Sequence, residues 1–315
     1  MSTSLLDNFF SGNRQALARI ITLLENDADR RVSLSQTLYP KSGQSRRIGF
    51  TGPPGVGKST LINRLVQLLR EHDQTVGVVA VDPTSPFTGG ALLGDRLRMQ
   101  SSWSDPGVFM RSMAERTSTS GLSAATPDVI TALDAFGKDV IIVETVGVGQ
   151  STLDIAEVTD TTVVVLSPES GDSIQAMKAG LMEIADILVV NKDDRAGSGH
   201  FASDLQMVLE MKQNMGDWLP PIVRTSAQNG TGIEEVHTRL IEHQGYLDDS
   251  GTLEARRLRQ SRSAITRAID ERIACRLRLL IPDLDEVLSH LADRVSKREL
   301  TPFTAADEVL KETDL

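Results

Sequence analysis

Residues 52–59 are those whose types and spacing most clearly indicate chemistry. They read Gly-Pro-Pro-Gly-Val-Gly-Lys-Ser and match the phosphate-binding pattern G-x-x-x-x-G-K-[ST]. Glycines let backbone N–H groups curl around an anion, and the helix that follows adds the positive end of its dipole. Lys58 is expected to bring its charge to the β and γ phosphates, and Ser59 to offer a hydroxyl to Mg²⁺. The predicted nucleotide-binding residues of this loop are Gly52, Pro53, Pro54, Gly55, Val56, Gly57, Lys58, Ser59 and Thr60.

Two acidic residues end predicted strands beside this loop. Asp82 follows the apolar run 76–81, and Glu144 ends the run 140–144. Acidic side chains at the carboxyl ends of such strands are natural ligands for Mg²⁺ or water. Asp95, in the Gly- and hydroxyl-rich segment after Asp82, is predicted as a further ligand. The expected metal ligands are Ser59, Asp82, Asp95 and Glu144, and the expected catalytic residues are Lys58, Asp82 and Glu144.

A candidate sensor of the γ phosphate begins at Glu144. The sequence Glu-Thr-Val-Gly stands there, where many GTPases carry D-x-x-G. The N–H of Gly147 is expected to contact the γ phosphate and to release it on hydrolysis. The sequence does not single out which residue orients the attacking water, since Arg96, Arg98 and Gln150 are all candidates.

Two further segments predict which base is bound. Asn191-Lys192-Asp193-Asp194 follows an apolar run and matches the guanine-recognition pattern N-K-x-D. The Asp194 carboxylate can accept from guanine N1–H and N2–H₂ together, whereas adenine offers no such pair of donors. After the last apolar run comes a segment in which a backbone N–H, that of Ala227, is expected to meet guanine O6. The sequence therefore predicts GTP and GDP as ligands, with base contacts from Asn191, Lys192, Asp194, Ser226, Ala227 and Gln228.

The elements that must position these residues are predicted from the hydrophobic pattern. Continuous apolar runs predict strands buried on both faces, and they alternate with helical stretches, so we expect a P-loop NTPase of the α/β class with a mostly parallel sheet flanked by helices. The six predicted strands are 48–51, 76–81, 140–144, 162–166, 187–191 and 222–225. The predicted domains are an N-terminal helical extension (1–45), a nucleotide-binding domain (46–248) and a C-terminal helical dimerisation arm (249–315).

The composition restricts the expected classes of ligand and the expected cellular compartment. The net charge of −10 and pI of about 5.1 argue against a nucleic-acid ligand. The chain contains one cysteine, Cys275, so a reducing cytoplasm is expected, and this side chain is expected to be a small buried residue. The sequence has neither a signal-peptide pattern nor an apolar run of about 18 residues, which predicts a cytoplasmic protein with no membrane partner.

The arm is rich in arginine, with eight between Arg256 and Arg278. A helix that binds nucleic acid or an anionic membrane is one interpretation. Acidic residues interleave with the arginines, and apolar residues recur at helical spacing. We therefore favour a solvated helical arm that packs on the nucleotide-binding domain or on a second subunit.

Several segments together resemble the MeaB/MMAA-type GTPases, also called the ArgK family. They are TGPPGVGKST at 51–60, VDPTSPFTGGALLGDRLRM at 81–99, DPGVFMRSMA at 105–114, ETVGVGQS at 144–151, GDSIQAMKAGLMEIADI at 171–187, NKDD at 191–194 and TPFTAADEVL at 301–310. The resemblance implies a GTP-dependent chaperone of an adenosylcobalamin-dependent acyl-CoA mutase, typically methylmalonyl-CoA mutase. Such proteins gate cofactor delivery and protect the mutase. It also implies a homodimer, and a third switch containing Gln175 and Lys178 that communicates with the mutase.

Other functions remain possible on the sequence alone. A P-loop kinase acting on a separate acceptor would need a general base and an acceptor pocket, and the sequence offers no candidate for either. A nickel-delivering protein would need clustered thiolate or imidazole ligands, whereas the five histidines are scattered. A nucleotide-binding scaffold without hydrolysis is the third alternative.

Overall fold

A computed structural model describes residues 3–83, 105–115, 125–145, 154–169, 180–211, 217–281 and 283–311. The chain divides into two compact units, Met1–Arg256 and Arg257–Leu315. The division of the chain at residues 45 and 248 stays a prediction.

The first unit is built on a sheet whose seven strands are all parallel, in the order β3-β2-β4-β1-β5-β6-β7. Continuous β-branched runs produce these strands because both faces of the sheet are covered, and every residue of β4, β5 and β6 is buried. The strands are β1 (Arg46–Thr51), β2 (Val76–Pro83), β3 (Val108–Glu115), β4 (Val140–Thr145), β5 (Thr161–Leu166), β6 (Ile187–Asn191) and β7 (Ile222–Thr225). The predicted fold class, an α/β P-loop NTPase, is confirmed.

Helices cover the sheet and form both ends of the chain. Short 3₁₀ turns occur at Tyr39–Lys41 and Ile155–Glu157. The helices of the described residues are α1 (Thr3–Phe10), α2 (Arg14–Asn26), α3 (Ala28–Leu38), α4 (Lys58–Glu71), α5 (Thr126–Ala135), α6 (Leu181–Ile184), α7 (Ser198–Met211), α8 (Ile233–Asp249), α9 (Thr252–Leu280), α10 (Leu284–Ser296) and α11 (Pro302–Lys311).

The sheet has a separate apolar core on each face. On one face α4 and α8 pack through residues such as Leu65 and Val236 against strand residues such as Val163. On the other face, α1, α2, α3 and α5 form one cluster with β2 and β4, and α6 and α7 form another with β5 and β6. The alternation of side chains along each strand divides the two cores. The N-terminal helices are therefore part of the first unit's core.

The edge strand β3 is the strand that the sequence pattern did not predict. Arg111 and Ser112 interrupt its apolar run, and both are only half-buried. The strand pairs with β2 alone, and Arg111 forms an ion pair with Glu25 of α2. An edge strand faces its partner on one side only, so it does not need the continuous apolar run that marks the central strands.

The second unit contains most of α9 together with α10 and α11. Its small core lies between α10 and α11, where Leu291 packs with Val309 and an ion pair joins Arg294 to Glu308 at 2.8 Å. Cys275 is exposed on α9, so the expectation that it is buried was wrong; the helix there exposes most of its residues. None of the helices in the described ranges is long and apolar enough to cross a membrane.

Candidate active site

The phosphate-binding loop joins β1 to α4 and takes a conformation that only glycine tolerates. Gly52, Gly55 and Gly57 have φ angles of 136°, 75° and 94°. A Cβ on Gly52 would lie 2.0 Å from the backbone oxygen of Val165, and one on Gly57 would lie 2.4 Å from Nδ2 of Asn191. The loop is thus held closely against β5 and against the loop after β6.

Lys58 is the first residue of α4, and its side chain is buried. Its Nζ donates to the carbonyl oxygens of Gly52 and Pro53 at 2.7 and 3.1 Å. The ammonium group therefore lies across the loop, where the helix N-terminus adds positive potential. This arrangement favours an anion with several oxygens.

Ser59 and Glu144 are brought together at the carboxyl ends of β1 and β4. Oγ of Ser59 donates to Oε1 of Glu144 at 2.7 Å, and both side chains are buried. Beside them, Oγ1 of Thr145 donates to Oγ1 of Thr51 at 2.9 Å. Two adjacent oxygen ligands suit Mg²⁺, which takes few protein ligands and completes its shell with water and phosphate oxygens. Within the described residues no group of three or more His, Cys, Asp or Glu could hold a metal ion; the predicted ligands Asp82 and Asp95 have side chains outside that part of the structure.

The remaining predicted groups around the γ phosphate are less defined. Ala80 of β2 pairs with Glu144, so the backbone of Asp82 lies at the same end of the sheet. The side chain of Asp82 is outside the described part of the structure. The other candidates there, which lie wholly outside the described residues, are Asp95, Arg96, Arg98, Gly147 and Gln150. Gln175 and Lys178, of the segment that resembles a third switch, also lie outside them.

Asn191 joins the phosphate loop to the two base-recognition segments. Its Nδ2 donates to the carbonyl oxygen of Val56 at 2.8 Å. Its Oδ1 accepts from Oγ1 of Thr225 and from the N–H of Ala227, each at 3.0 Å. The side chain is buried, so its amide fixes three loops relative to one another.

Asp194 lies on the wall of a pocket beside Asn191. Oγ of Ser226 donates to Oδ1 of Asp194 at 2.6 Å. This hydrogen bond, followed by one from the backbone N–H of Asp194 itself, lowers the pKa of the carboxyl group, so it is ionised at neutral pH. The pocket brings residues of all three motifs together and is lined by Gly57, Thr60, Asn191, Lys192, Asp194, Arg195, Ser226, Ala227 and Gln228.

Two residues that sequence reasoning missed also support the base pocket. Oδ1 of Asp193 accepts from Oγ of Ser198 and Nε of Arg224, both at 2.6 Å, and this fixes the loop after β6. Arg64 of α4 donates to the backbone oxygens of Ala227 and Gln228. Asp193 occupies the variable position of its motif and Arg64 is one polar residue on a helix, so neither carried a sequence signal.

Comparisons with known proteins give matches that cover most or nearly all of the chain. The family model described as Methylmalonyl Co-A mutase-associated GTPase MeaB matches residues 17–279. A protein of Pyrococcus abyssi named as a GTPase is 44% identical, with 99% of this chain and 97% of that protein covered. The Mus musculus protein named methylmalonic aciduria type A homolog, mitochondrial, is 32% identical, with 95% and 76% covered. A crystal structure described as LAO/AO transport system kinase matches with a TM-score of 0.72 at 27% identity, with 100% and 99% covered.

Proposed function

Because the chain belongs to the MeaB family of methylmalonyl-CoA mutase-associated GTPases, we propose that it is the chaperone of an adenosylcobalamin-dependent acyl-CoA mutase. In this role, GTP binding and hydrolysis gate the loading of the mutase with its cofactor and protect the mutase from inactivation. The GTPase activity and the binding of guanine nucleotide follow from the family and fold. The client rests on the family match, which is the observation that carries the proposal.

Different residues of the site are proposed to bind the phosphates, the base and Mg²⁺. Lys58 brings positive charge to the β and γ phosphates, and the backbone N–H groups of the phosphate loop donate to their oxygens. Asp194 accepts from the guanine edge, and Asn191 holds the loops around it. Ser59 and Glu144, with Asp82 and Asp95, are the side chains proposed to hold Mg²⁺, which supplies charge to the phosphate oxygens when it is bound.

The client proposal is tested by measuring GTP hydrolysis with and without a purified adenosylcobalamin-dependent acyl-CoA mutase from the same source. ATP serves as the nucleotide control. We expect slow GTP turnover that rises when the mutase is added, and no comparable turnover of ATP. GTP turnover that is unaffected by the mutase at saturating concentration would contradict the chaperone role.

A kinase is the second candidate, because the crystal structure that matches the whole chain is described as a transport system kinase. The two functions differ in where the γ phosphate goes. Hydrolysis releases it as inorganic phosphate, whereas a kinase transfers it to an acceptor. Incubation with GTP labelled at the γ phosphate, together with the mutase, separates them. We expect the label in inorganic phosphate, and label bound covalently to a protein would favour the kinase.

We also propose that two copies of the chain associate through α9. This helix exposes large apolar side chains at helical spacing, including Ile265, Ile269 and Ile273, which are 61%, 51% and 49% exposed. Light scattering should give twice the chain mass of 34.2 kDa. Ile269→Glu is expected to reduce the mass to one chain, and Met207→Glu, at an exposed apolar residue of α7, is the matched control. A single-chain mass for the unsubstituted protein would contradict the dimer.

A further inference from the structure

The loop that follows β7 lies beside the base pocket, and hydrogen bonds of its own backbone hold its conformation. Ser226 and Thr231 exchange two backbone hydrogen bonds, each 3.1 Å long, which close the loop. The N–H of Ala227, which the sequence predicts to meet guanine O6, donates to Oδ1 of Asn191 in this structure, so we consider the next N–H of the loop for that contact. The next peptide group joins Ala227 to Gln228, and both residues line the pocket.

Arg64 holds this peptide group from the side of α4. Its Nε donates to the oxygen of Ala227 at 3.3 Å, and its Nη2 donates to the oxygen of Gln228 at 3.1 Å. A guanidinium presents its N–H donors in a rigid planar fork, so the two bonds fix the orientation of the loop as well as its distance from the helix. The same helix begins at Lys58 and Ser59, and so one rigid element positions both the phosphate loop and the base loop.

The contact of Arg64 with the carbonyl of Ala227 also fixes the direction of the N–H of Gln228. The carbonyl of Ala227 and the N–H of Gln228 belong to one planar group, and in a trans peptide they point in opposite directions. Because the carbonyl is held towards Arg64, the N–H of Gln228 is directed away from the guanidinium of Arg64. A bond from a charged donor also polarises the peptide group, which strengthens its N–H as a donor.

We propose that Arg64 is a positioning residue for base specificity, which directs the N–H of Gln228 to the oxygen at position six of guanine. Adenine carries an amine at that position, so the same N–H would face a donor instead of an acceptor. Arg64 thus selects the base without touching it. The inference rests on the guanine-nucleotide role of this pocket and does not depend on the mutase as client.

The test compares two nucleotides that differ at the base position in question. GDP has the oxygen at position six, whereas 6-thio-GDP has sulfur there, a weaker hydrogen-bond acceptor, and keeps both the N1–H and the 2-amino group that Asp194 accepts from. For Arg64→Met we expect GDP binding to weaken about three- to tenfold, the value of one lost hydrogen bond. The affinity for 6-thio-GDP should change by less than about twofold, because its sulfur gains little from the N–H of Gln228. Titration calorimetry measures both affinities.

Two control variants make the result specific. Arg64→Lys keeps the charge but loses the fork, so it should show most of the loss for GDP. Arg239→Met removes an arginine of α8 that pairs with Glu235 and Glu242 on its own helix, and should change neither affinity. Equal weakening of GDP and of the analogue by Arg64→Met, or no weakening of GDP, would overturn the proposal.

Xanthine nucleotides separate a failure of this inference from a failure of the base assignment. Xanthine has oxygens at positions two and six, so Asp194→Asn should exchange a preference for GDP for one for xanthosine diphosphate. In that background Arg64→Met should weaken xanthosine diphosphate by the same factor as GDP in the parent. An Asp194→Asn variant with unchanged GDP affinity would overturn both the base assignment and the inference. Loss of the mutase effect on hydrolysis would leave the inference standing.

Discussion

At the carboxyl end of the central sheet, polar side chains lie around the proposed nucleotide site, whereas at its amino end buried polar side chains are paired with other groups of the protein. At the carboxyl end, Ser59 and Glu144 are buried together beside the phosphate loop, and the exposed carboxylate of Asp194 lies on the wall of the base pocket. At the amino end, Asp134, Lys138 and Asp186 are buried to the same degree as Ser59 and Glu144, and each is hydrogen-bonded to other groups of the protein.

Asp186, just before β6, shows how the amino end is closed. Its carboxylate accepts two hydrogen bonds from Arg256 at 2.7 and 2.8 Å and one from the N–H of Thr162 at 2.8 Å. Nε2 of His243 lies 3.3 Å from it, and the indole of Trp218 donates to its backbone oxygen. The acceptor capacity of the carboxylate is thus used within the protein, and it has none left for a ligand.

Asp134 shows the same arrangement before β4. Its carboxylate accepts from the backbone N–H groups of Gly43, Gln44 and Ser45 at 2.8, 3.0 and 3.1 Å, and the side chain is fully buried. A cradle of successive N–H groups is also what the phosphate loop offers at the other end. The difference is that the amino end fills its cradle with a side chain of this chain, and the carboxyl end leaves it for a ligand. Burial of charge alone therefore does not mark a functional site.

Two buried lysines, one at each end of the sheet, allow the test of this comparison that has the largest expected effect. Lys58 and Lys138 are each 6% exposed, and each donates to a backbone oxygen. Lys58→Ala should lower GTP turnover about a thousandfold, which is the size seen when a donor to developing charge is removed. Single-turnover hydrolysis at saturating GTP measures the effect.

The matched control is Lys138→Met. Burial, assisted by the charges of Arg14 and Arg70, lowers the pKa of Lys138 to about 8, so its environment stabilises the charge less than water does. The variant should keep GTP turnover within about twofold, since Lys138 lies at the end of the sheet remote from the proposed nucleotide. Comparable losses in both variants would show that the two ends do not differ in the way described.

The next largest effect is expected for Asp186→Asn. This substitution should lower the free energy of unfolding and leave GTP turnover unchanged. The substitution leaves Arg256 buried without a charged partner, which costs about 3 kcal/mol of unfolding free energy. The variant should bind GDP with the affinity of the parent. Urea unfolding followed by circular dichroism, combined with GDP titration, measures both quantities.

The double variant Asp186→Asn/Arg256→Met is the control for this interpretation. It removes both charges, so it should recover part of the stability that the single variant loses. A single variant as stable as the parent, or one that loses GDP affinity while remaining folded, would contradict the closed amino end.

The sequence predicted the carboxyl end of the sheet better than the amino end. The phosphate loop and N-K-x-D are local patterns, because a backbone that wraps a phosphate needs glycines at set spacing. The six predicted strands, which are the five central strands and the edge strand β7, are continuous apolar runs. Arg256 was interpreted as one of several solvated arginines, yet its side chain is only 20% exposed and pairs with Asp186, 70 residues earlier in the chain. Arg64 likewise bonds to a loop 163 residues away. Such long-range partners are set by packing, and no local pattern indicates them.

The pH dependence of stability should show the smallest of the three effects and arises at the amino end. Burial alone would raise the pKa of Asp186, but the hydrogen bonds and charges of Arg256 and His243 outweigh it and lower the pKa from 3.8 to about 2. A carboxyl group with a lowered pKa stabilises the folded state above the pKa of the unfolded chain. This stabilisation is then lost as the pH falls through the folded value. The stability gained is about 2 kcal/mol, present above pH 4 and lost towards pH 2.

The measurement is the difference in unfolding free energy between the parent and Asp186→Asn, taken by urea unfolding at intervals from pH 5 down to the lowest pH at which both remain folded. Other carboxyl groups cancel in this difference, so it isolates Asp186. The difference should be constant near pH 5 and shrink below about pH 4, because the parent alone takes up a proton on unfolding. A difference that stays constant over this range would mean that Asp186 is not held ionised by Arg256. In that case packing, and not the charge of Asp186, would explain why the amino end of the sheet is closed to ligands.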